Sequence, residues 1–471
     1  MTKSTGIKKI QLVGFIAAVI ILLGMFLIQP TEALPLAARN TLGVLLAVII
    51  LLVTEALPLG ATCLVAVAMM FFFKCTDSIP GALTGFTNAT LFFVLASFGI
   101  SEALTVVPVS KRILLVLMKK FGQNTKSLLF AIMLVTAVLS SVISNVAAAA
   151  VFIPIINQFL SVYENEEERK RTAKAYMIAL PVASMIGGMM TPAGSSINML
   201  AISMLEKHTG ATVPFVQWML MGIPLTAILL PTAWFICIKV FKPAPLAQEK
   251  IMNYVDETMQ TLPPKMTVKE IYVLVVLVVM LILWILSSWI PVLQVAGVAL
   301  IGLMLFFLPG KAQVLTWKDF TRSVSLEAFI LMGVMISMGN VISSSGLAAW
   351  IADVIFPATF TSSTPIVIGF VALLTFVLLV PIPVAPALIA MLAGPLVTFC
   401  QNIGVSPVLV MCAFGLCAAN CYLLPLDTVP LMTKATGAYE MFDMPKATLW
   451  IQLVMIVICS LWLTVVGGII L

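Results

Sequence analysis

The feature that most constrains this chain is a succession of long apolar runs, at 11–29, 41–54, 56–73, 89–109, 127–160, 175–205, 213–240, 271–290, 292–309, 326–356, 365–400, 404–433 and 447–471. A helix that crosses the hydrocarbon core of a bilayer takes about 20 apolar residues. Backbone groups inside that core must pair with one another, which leaves only helices and closed barrels. The runs are continuous rather than alternating, so a β-barrel is excluded. Only 9% of the 471 residues are charged and 62% are hydrophobic, against about 25% charged in an average soluble domain. Such a chain cannot cover itself with polar surface, which excludes a water-soluble enzyme. The fold class is an all-α polytopic membrane protein.

Smaller features fit this class. The eight cysteines lie mostly in apolar runs without CxxC spacing and read as small buried hydrophobes. The basic start followed by the run 11–28 has the outline of a signal peptide. The run is long enough to span, so residues 1–40 are read as an N-terminal helix.

Lys and Arg orient the chain. The run 127–160 is too long for one span and short for two, and 365–400 poses the same problem. Both are read as re-entrant hairpins, bounded at 127–163 and 365–403. With about 11 transmembrane helices and the N-terminus inside, all 25 Lys and Arg face the cytoplasm except Arg39, Lys74 and Lys207. That asymmetry is the positive-inside pattern, and it puts the C-terminus outside. The segment 242–270 is then a cytoplasmic linker between repeat 1 (41–241) and repeat 2 (271–471). The charged stretch 164–174 is expected to be a loop, and the single histidine, His208, to lie in an exterior loop.

The two halves carry similar interruptions. Ser144-Asn145, Pro154 and the stretch Thr191–Asn198 in the first answer to Pro383–Pro386, Pro395 and Leu424–Pro430 in the second. Their opposite starting sides make them inverted-topology repeats. Broken segments at matching positions of inverted halves point to a transporter binding site.

The breaks offer definite chemistry. Ser140, Ser141, Ser144 and Asn145 place polar side chains inside an apolar hairpin, and Ala147–Ala150 restarts a helix there. A helix N-terminus carries partial positive charge and free N–H groups suited to a carboxylate. The break 191–198, with Gly194, Ser195 and Ser196, offers carbonyls and hydroxyls to a small hard cation such as Na⁺. In the second half, Pro381, Pro383 and Pro386 force open backbone at the tip, and Asp427 precedes Lys434 by seven residues. Asp427 suits either a substrate site or a helix cap. Ser343–Gly346 reads as a helix end. Nothing resembles HExxH, GxSxG or a P-loop, so no enzyme, nucleotide partner or nucleic-acid partner is expected.

At these positions the chain resembles the divalent anion:sodium symporter family, carriers of di- and tricarboxylates. The motifs are Ser144-Asn145-Val146, Gly187-Gly188 through Asn198, and Leu424-Pro425 through Pro430 to Thr436-Gly437. The resemblance implies an elevator-type transporter, a homodimer, and membrane lipid around it. It implies substrate contacts from Ser144, Asn145, Ser195, Thr428 and Pro430, and a Na⁺ site at Ser140, Asn145 and Gly194. Val146, Gly194, Ser196, Pro386 and Asp427 complete the candidate substrate site. Two departures stand out: Val146 replaces the family's Thr, and the second Ser-Asn-Thr is absent.

Lys434 suggests a coupling mode. Bound Na⁺ can leave an empty carrier, but a fixed cation cannot. Its unpaired return through hydrocarbon costs at least about 2.5–3.5 kcal/mol. The sequence expectation is therefore dicarboxylate exchange (antiport) of substrates such as succinate, malate, fumarate, 2-oxoglutarate or citrate, with Na⁺-coupled symport as the alternative and an anion channel as a remote one. No cofactor is expected beyond Na⁺. The expected location is the bacterial inner membrane.

Overall fold

The computed structural model describes residues 9–25, 27–121, 124–245, 248–356 and 363–470. Lys3 and Lys8, which contribute to the orientation argument, lie outside the described residues. Among the described residues every regular element is helical. Seven helices among the described residues are at least 18 residues long and apolar enough to cross a bilayer.

The helices form where the apolar runs lie, and they break where Pro, Gly, Ser and Asn interrupt those runs. The run 127–160 becomes two helices, Thr125–Ser140 and Asn145–Leu160. Each has 16 residues, or about 24 Å at 1.5 Å per residue. That is less than the roughly 30 Å of a hydrocarbon core. The run 365–400 becomes Thr364–Leu378 and Ala385–Ile403. The run 175–205 becomes Glu166–Gly188, a 3₁₀ turn at Pro192–Gly194, and Ser196–Thr209. The run 404–433 becomes Pro407–Ala418 and Thr428–Lys434. The same order of elements runs twice along the chain: two helices, a short helical connection, two helices, a split pair, a broken helix and a long final helix.

Two expectations change. The charged stretch 164–174 is not a loop; from Glu166 onward it is the start of the helix ending at Gly188. Asn165 caps it, accepting from Glu167 N at 2.9 Å. Glu166, Glu167 and Glu168 in the first turn complement the helix dipole. His208 is not in a loop either. It sits in the last turn of Ser196–Thr209, half-buried, with Nδ1 3.4 Å from Ser343 Oγ. Ser343–Gly346 does end its helix, with Gly346 at φ +81°.

The helices gather into two compact units. The first comprises Met1–Leu91, Leu200–Thr212 and Ser325–Ala418. Within it Gly85 N donates to Ser337 Oγ at 2.9 Å, and a side chain at Gly85 would strike the Gly333 carbonyl. The second comprises Phe92–Met199, Val213–Val324 and Ala419–Leu471. Here the amphipathic helix Val109–Phe121 is tied by Arg112 to the buried Glu270 at 3.0 Å and by Lys119 to Asp256 at 3.0 Å. The partner helices are Val268–Leu286 and Gln248–Gln260, the latter filling much of the expected linker.

Candidate functional site

The site is built in the second unit, where the first split pair meets the break in the helix from Glu166. A broken helix inside hydrocarbon leaves carbonyls without intrahelical donors, and each must find another. Thr226 Oγ1 donates to Ile186 O at 2.9 Å, and Trp218 Nε1 to Met189 O at 3.0 Å. Asn198 Nδ2 serves both Gly188 O at 2.8 Å and Thr191 O at 3.0 Å. Thr191 Oγ1 accepts from Gly194 N at 3.0 Å and donates to Ser141 O at 2.5 Å. The last bond joins the helix break to the hairpin break.

Close approach between the two breaks depends on missing side chains. A Cβ at Gly187 would meet the backbone of Ala137 at 2.3 Å, and one at Gly188 would meet Asn145 Oδ1 at 2.4 Å. A Cβ at Gly194 would stand 2.6 Å from Gly188 O and 3.0 Å from Ser140 O.

This packing draws Ser140, Asn145 and Gly194 together. The Asn145 amide lies 2.6 Å from Ser140 Oγ. With its nitrogen turned inward, the amide donates to Ser140 Oγ at 2.6 Å and to the carbonyls of Gly194 and Ser184 at 3.2 Å each. With its oxygen inward, it faces the Ser140 hydroxyl and the Gly194 carbonyl. Among the described residues no backbone N–H donates to the carbonyl of Ser140 or of Gly194. With the amide oxygen inward, the carbonyls of Ser140 and Gly194, the Ser140 hydroxyl and that oxygen form a hard, uncharged donor set of the kind that suits Na⁺ rather than a transition metal.

The split between the two short helices begins differently from expectation. The helix restarts at Asn145 rather than Ala147, with Ser144 as its cap, accepting from Ala147 N at 3.2 Å. Ser144 therefore occupies one of the free N–H groups, and its hydroxyl hydrogen stays available to an anion. Ser144 and Asn145 are half-buried and Val146 is 37% exposed. The N-terminus is thus open where a carboxylate would approach. Ser195 is buried at 7% exposure and accepts from Ile197 N at 3.3 Å, so it caps the next helix. Ser196 is half-buried.

The short helix Thr428–Lys434 packs against both Asn145–Leu160 and Glu166–Gly188. Asp427 is its N-cap, accepting from Val429 N at 3.4 Å. Thr428 is exposed and Pro430 buried. Lys434 closes the helix, about 10 Å along the axis from Asp427. Among the described residues neither forms an ion pair. Pro386, at the start of Ala385–Ile403, belongs to the other unit.

Two residues that sequence reasoning missed complete the arrangement. Ser184, fully buried, lies 3.1 Å from Ser140 Oγ and donates to Asn145 O at 2.7 Å. Ser101 Oγ accepts from Ser144 N at 3.3 Å. Ser184 is a single hydroxyl in an otherwise apolar turn, and Ser101 stands beside the charged Glu102, so neither carries a signal of its own.

From residue 9 to residue 470 the chain matches the sodium:sulfate symporter transmembrane region. It is 27% identical over 401 residues to the sodium-dependent dicarboxylate transporter SdcS of Staphylococcus saprophyticus, covering 79% of this chain and 76% of that protein. To SdcS of Staphylococcus aureus USA300 it is 26% identical over 396 residues, covering 79% and 75%. Its fold is similar to that of Neisseria gonorrhoeae MtrF, described as illuminating a class of antimetabolite efflux pumps, with a TM-score of 0.55 at 13% identity over 98% of this chain and 95% of that one. The Alcanivorax borkumensis YdaH transporter gives 0.50 at 15% identity over 83% and 87%. The family match spans nearly the whole chain and agrees with the motifs at the helix breaks. This protein belongs to the sodium:sulfate, or divalent anion:sodium, symporter family, whose members are multi-pass membrane transporters and not enzymes.

Proposed function

We propose that this protein carries C4 and C5 dicarboxylates across the bacterial inner membrane, coupled to Na⁺. The observation that carries the reading is the cluster of Ser140, Asn145, Ser184 and Gly194 at two adjacent helix breaks. It offers oxygens to a cation next to a helix N-terminus that offers N–H groups to an anion. A cation and a carboxylate bound side by side compensate each other's charge during passage through a low-dielectric barrier. That the SdcS relatives are named sodium-dependent dicarboxylate transporters supports the same pairing. The reading includes inverted repeats, an elevator movement, a homodimer, a cytoplasmic N-terminus and a C-terminus outside.

A second reading is exchange of one dicarboxylate for another. It is favoured by Lys434, which has no acidic partner among the described residues, and by the break 379–384, whose side chains carry no oxygen.

Uptake of labelled succinate into proteoliposomes separates the readings. Internal unlabelled dicarboxylate and an inward Na⁺ gradient are varied independently. Uptake into empty vesicles that rises steeply with Na⁺ establishes symport. Uptake that needs internal dicarboxylate and ignores Na⁺ establishes exchange. Conductive flux that needs neither overturns both.

A further inference from the structure

A cavity of about 660 Å³ is lined by Lys126, Arg171, Lys239 and Lys242, together with Asn124 and Thr125. All lie in the second unit. Among the described residues none of the four cations forms an ion pair. Four unpaired positive charges around one concavity repel one another, and an anion relieves that repulsion.

The cavity is built rather than incidental. Part of its lining is the segment after the helix Phe215–Phe241, which ends at Lys242 in a left-handed conformation, φ +47°. A lysine is rarely found there, and the neighbouring bonds hold it. Ala244 N donates to Thr172 Oγ1 at 3.0 Å, and Tyr163 Oη donates to Ala244 O at 2.9 Å. Thr125, also in the lining, accepts at its carbonyl from Tyr176 Oη at 2.6 Å. The helix Thr125–Ser140 starts in this lining, so its N-terminal dipole adds to the positive field.

One side of the cavity adjoins an apolar, outward face. Trp234 Nε1 donates to Lys126 O at 2.8 Å, and Lys239 Nζ sits 5.2 Å above the Phe235 ring. Phe235 is 54% exposed, and Ile228, two turns back on the same helix face, is 45% exposed. An aromatic pair beside a lysine cluster at the end of a spanning helix is the signature of the membrane–water interface. A free inorganic anion has no use for such a face, whereas an acyl chain does.

We infer that this cavity binds the phosphate group of an anionic phospholipid, with the acyl chains lying along Phe235 and Ile228. Basic pockets between helices on the positively charged face of membrane proteins take headgroups of this kind.

The test uses the purified full-length protein in detergent. Retention of phosphatidylglycerol and phosphatidylcholine is compared by native mass spectrometry, and the shift in melting temperature is followed with each lipid and with inorganic phosphate. The variant carries Lys126→Gln, Arg171→Gln, Lys239→Gln and Lys242→Gln; a control removes Lys311, Lys318 and Arg322 instead. The expected result is preferential retention of, and stabilisation by, phosphatidylglycerol in the wild type and the control. Retention should fall about fivefold for each neutralised residue in the variant. If the fourfold variant does not fold, the pairs Lys126→Gln/Lys239→Gln and Arg171→Gln/Lys242→Gln decide by the same measure. Equal retention of the two lipids, or equal phosphatidylglycerol retention by variant and wild type, overturns the assignment. Stabilisation by inorganic phosphate alone at millimolar concentration assigns the cavity to a soluble anion and overturns the lipid.

Discussion

The hydroxyl of Ser184 donates to the main-chain carbonyl of Asn145 at 2.7 Å, across from one helix to the first residue of another. The same hydroxyl lies 3.1 Å from Ser140 Oγ. One buried side chain therefore fixes both a side-chain oxygen and a helix start at the candidate Na⁺ site. Replacing it with alanine leaves Asn145 and Ser140 less constrained. Losing a hydrogen bond of this type costs about 0.5–1.5 kcal/mol, or roughly 2- to 12-fold in affinity. Ser184→Ala should raise the Na⁺ concentration for half-maximal succinate uptake by that factor. Ser184→Thr should restore much of it. Unchanged Na⁺ dependence in Ser184→Ala would remove this residue from the site.

Gly188 allows the hairpin to reach the broken helix. An added Cβ would stand 2.4 Å from Asn145 Oδ1, closer than atoms tolerate. Gly188→Ala should displace Asn145 and lower uptake at least tenfold, with a stability loss of about 1–3 kcal/mol from overpacking. Gly24→Ala, where nothing lies within 4 Å of the new carbon, should leave uptake unchanged. Initial uptake rates, normalised to inserted protein, test the contrast.

Asp427 separates a charge role from a capping role. Its side chain caps Thr428–Lys434, and asparagine caps about as well as aspartate. Asp427→Asn should therefore retain uptake within about twofold. Asp427→Ala should cost about 1 kcal/mol of stability and reduce uptake through loss of the helix start. A collapse of transport in Asp427→Asn with the melting temperature unchanged would instead assign the negative charge to the transport cycle.

Asp443 sits just outside the last long helix, held by Lys174 and Lys446 at 2.7 Å each and by Glu440 N at 3.1 Å. Burial alone would raise its carboxyl, but the two lysines and the amide hold it down to about 2. A depressed carboxylate stabilises the fold above its ordinary range, and that stabilisation fades as pH falls from about 4 toward 2. The melting temperature of the purified protein should decline across that window. In Asp443→Asn the decline should be smaller and the melting temperature at pH 7 lower. Parallel pH profiles of the two proteins would show that the pair of ion bridges contributes nothing.

The parts legible in the sequence were those where polar or helix-breaking residues interrupt hydrocarbon. Ser144-Asn145, Thr191–Asn198 and Leu424–Pro430 stand out because they gather polar or helix-breaking residues inside apolar runs, and the helices break at each. Ser184 does not stand out, because one hydroxyl in an apolar helix usually bonds back to its own turn, and Ser101 does not, because it reads as a neighbour of the charged Glu102. Their partners are distant in sequence and emerge only from packing. The charged stretch after Glu164 looked like a loop by polarity, yet Asn165 and the three glutamates after it are strong helix-start signals. The Ser144 cap was missed for a related reason. The alanines after it look like the helix start, but a cap residue precedes the first helical turn by definition.

The measurement that tests the central claim most directly is calorimetric binding of succinate to the purified protein in Na⁺ and in K⁺, for the wild type and for Asn145→Ala. The account predicts binding to the wild type in Na⁺, at least tenfold weaker binding in K⁺, and no Na⁺ enhancement in Asn145→Ala. Equal binding in the two salts, or an Asn145→Ala protein that still responds to Na⁺ like the wild type, would contradict it.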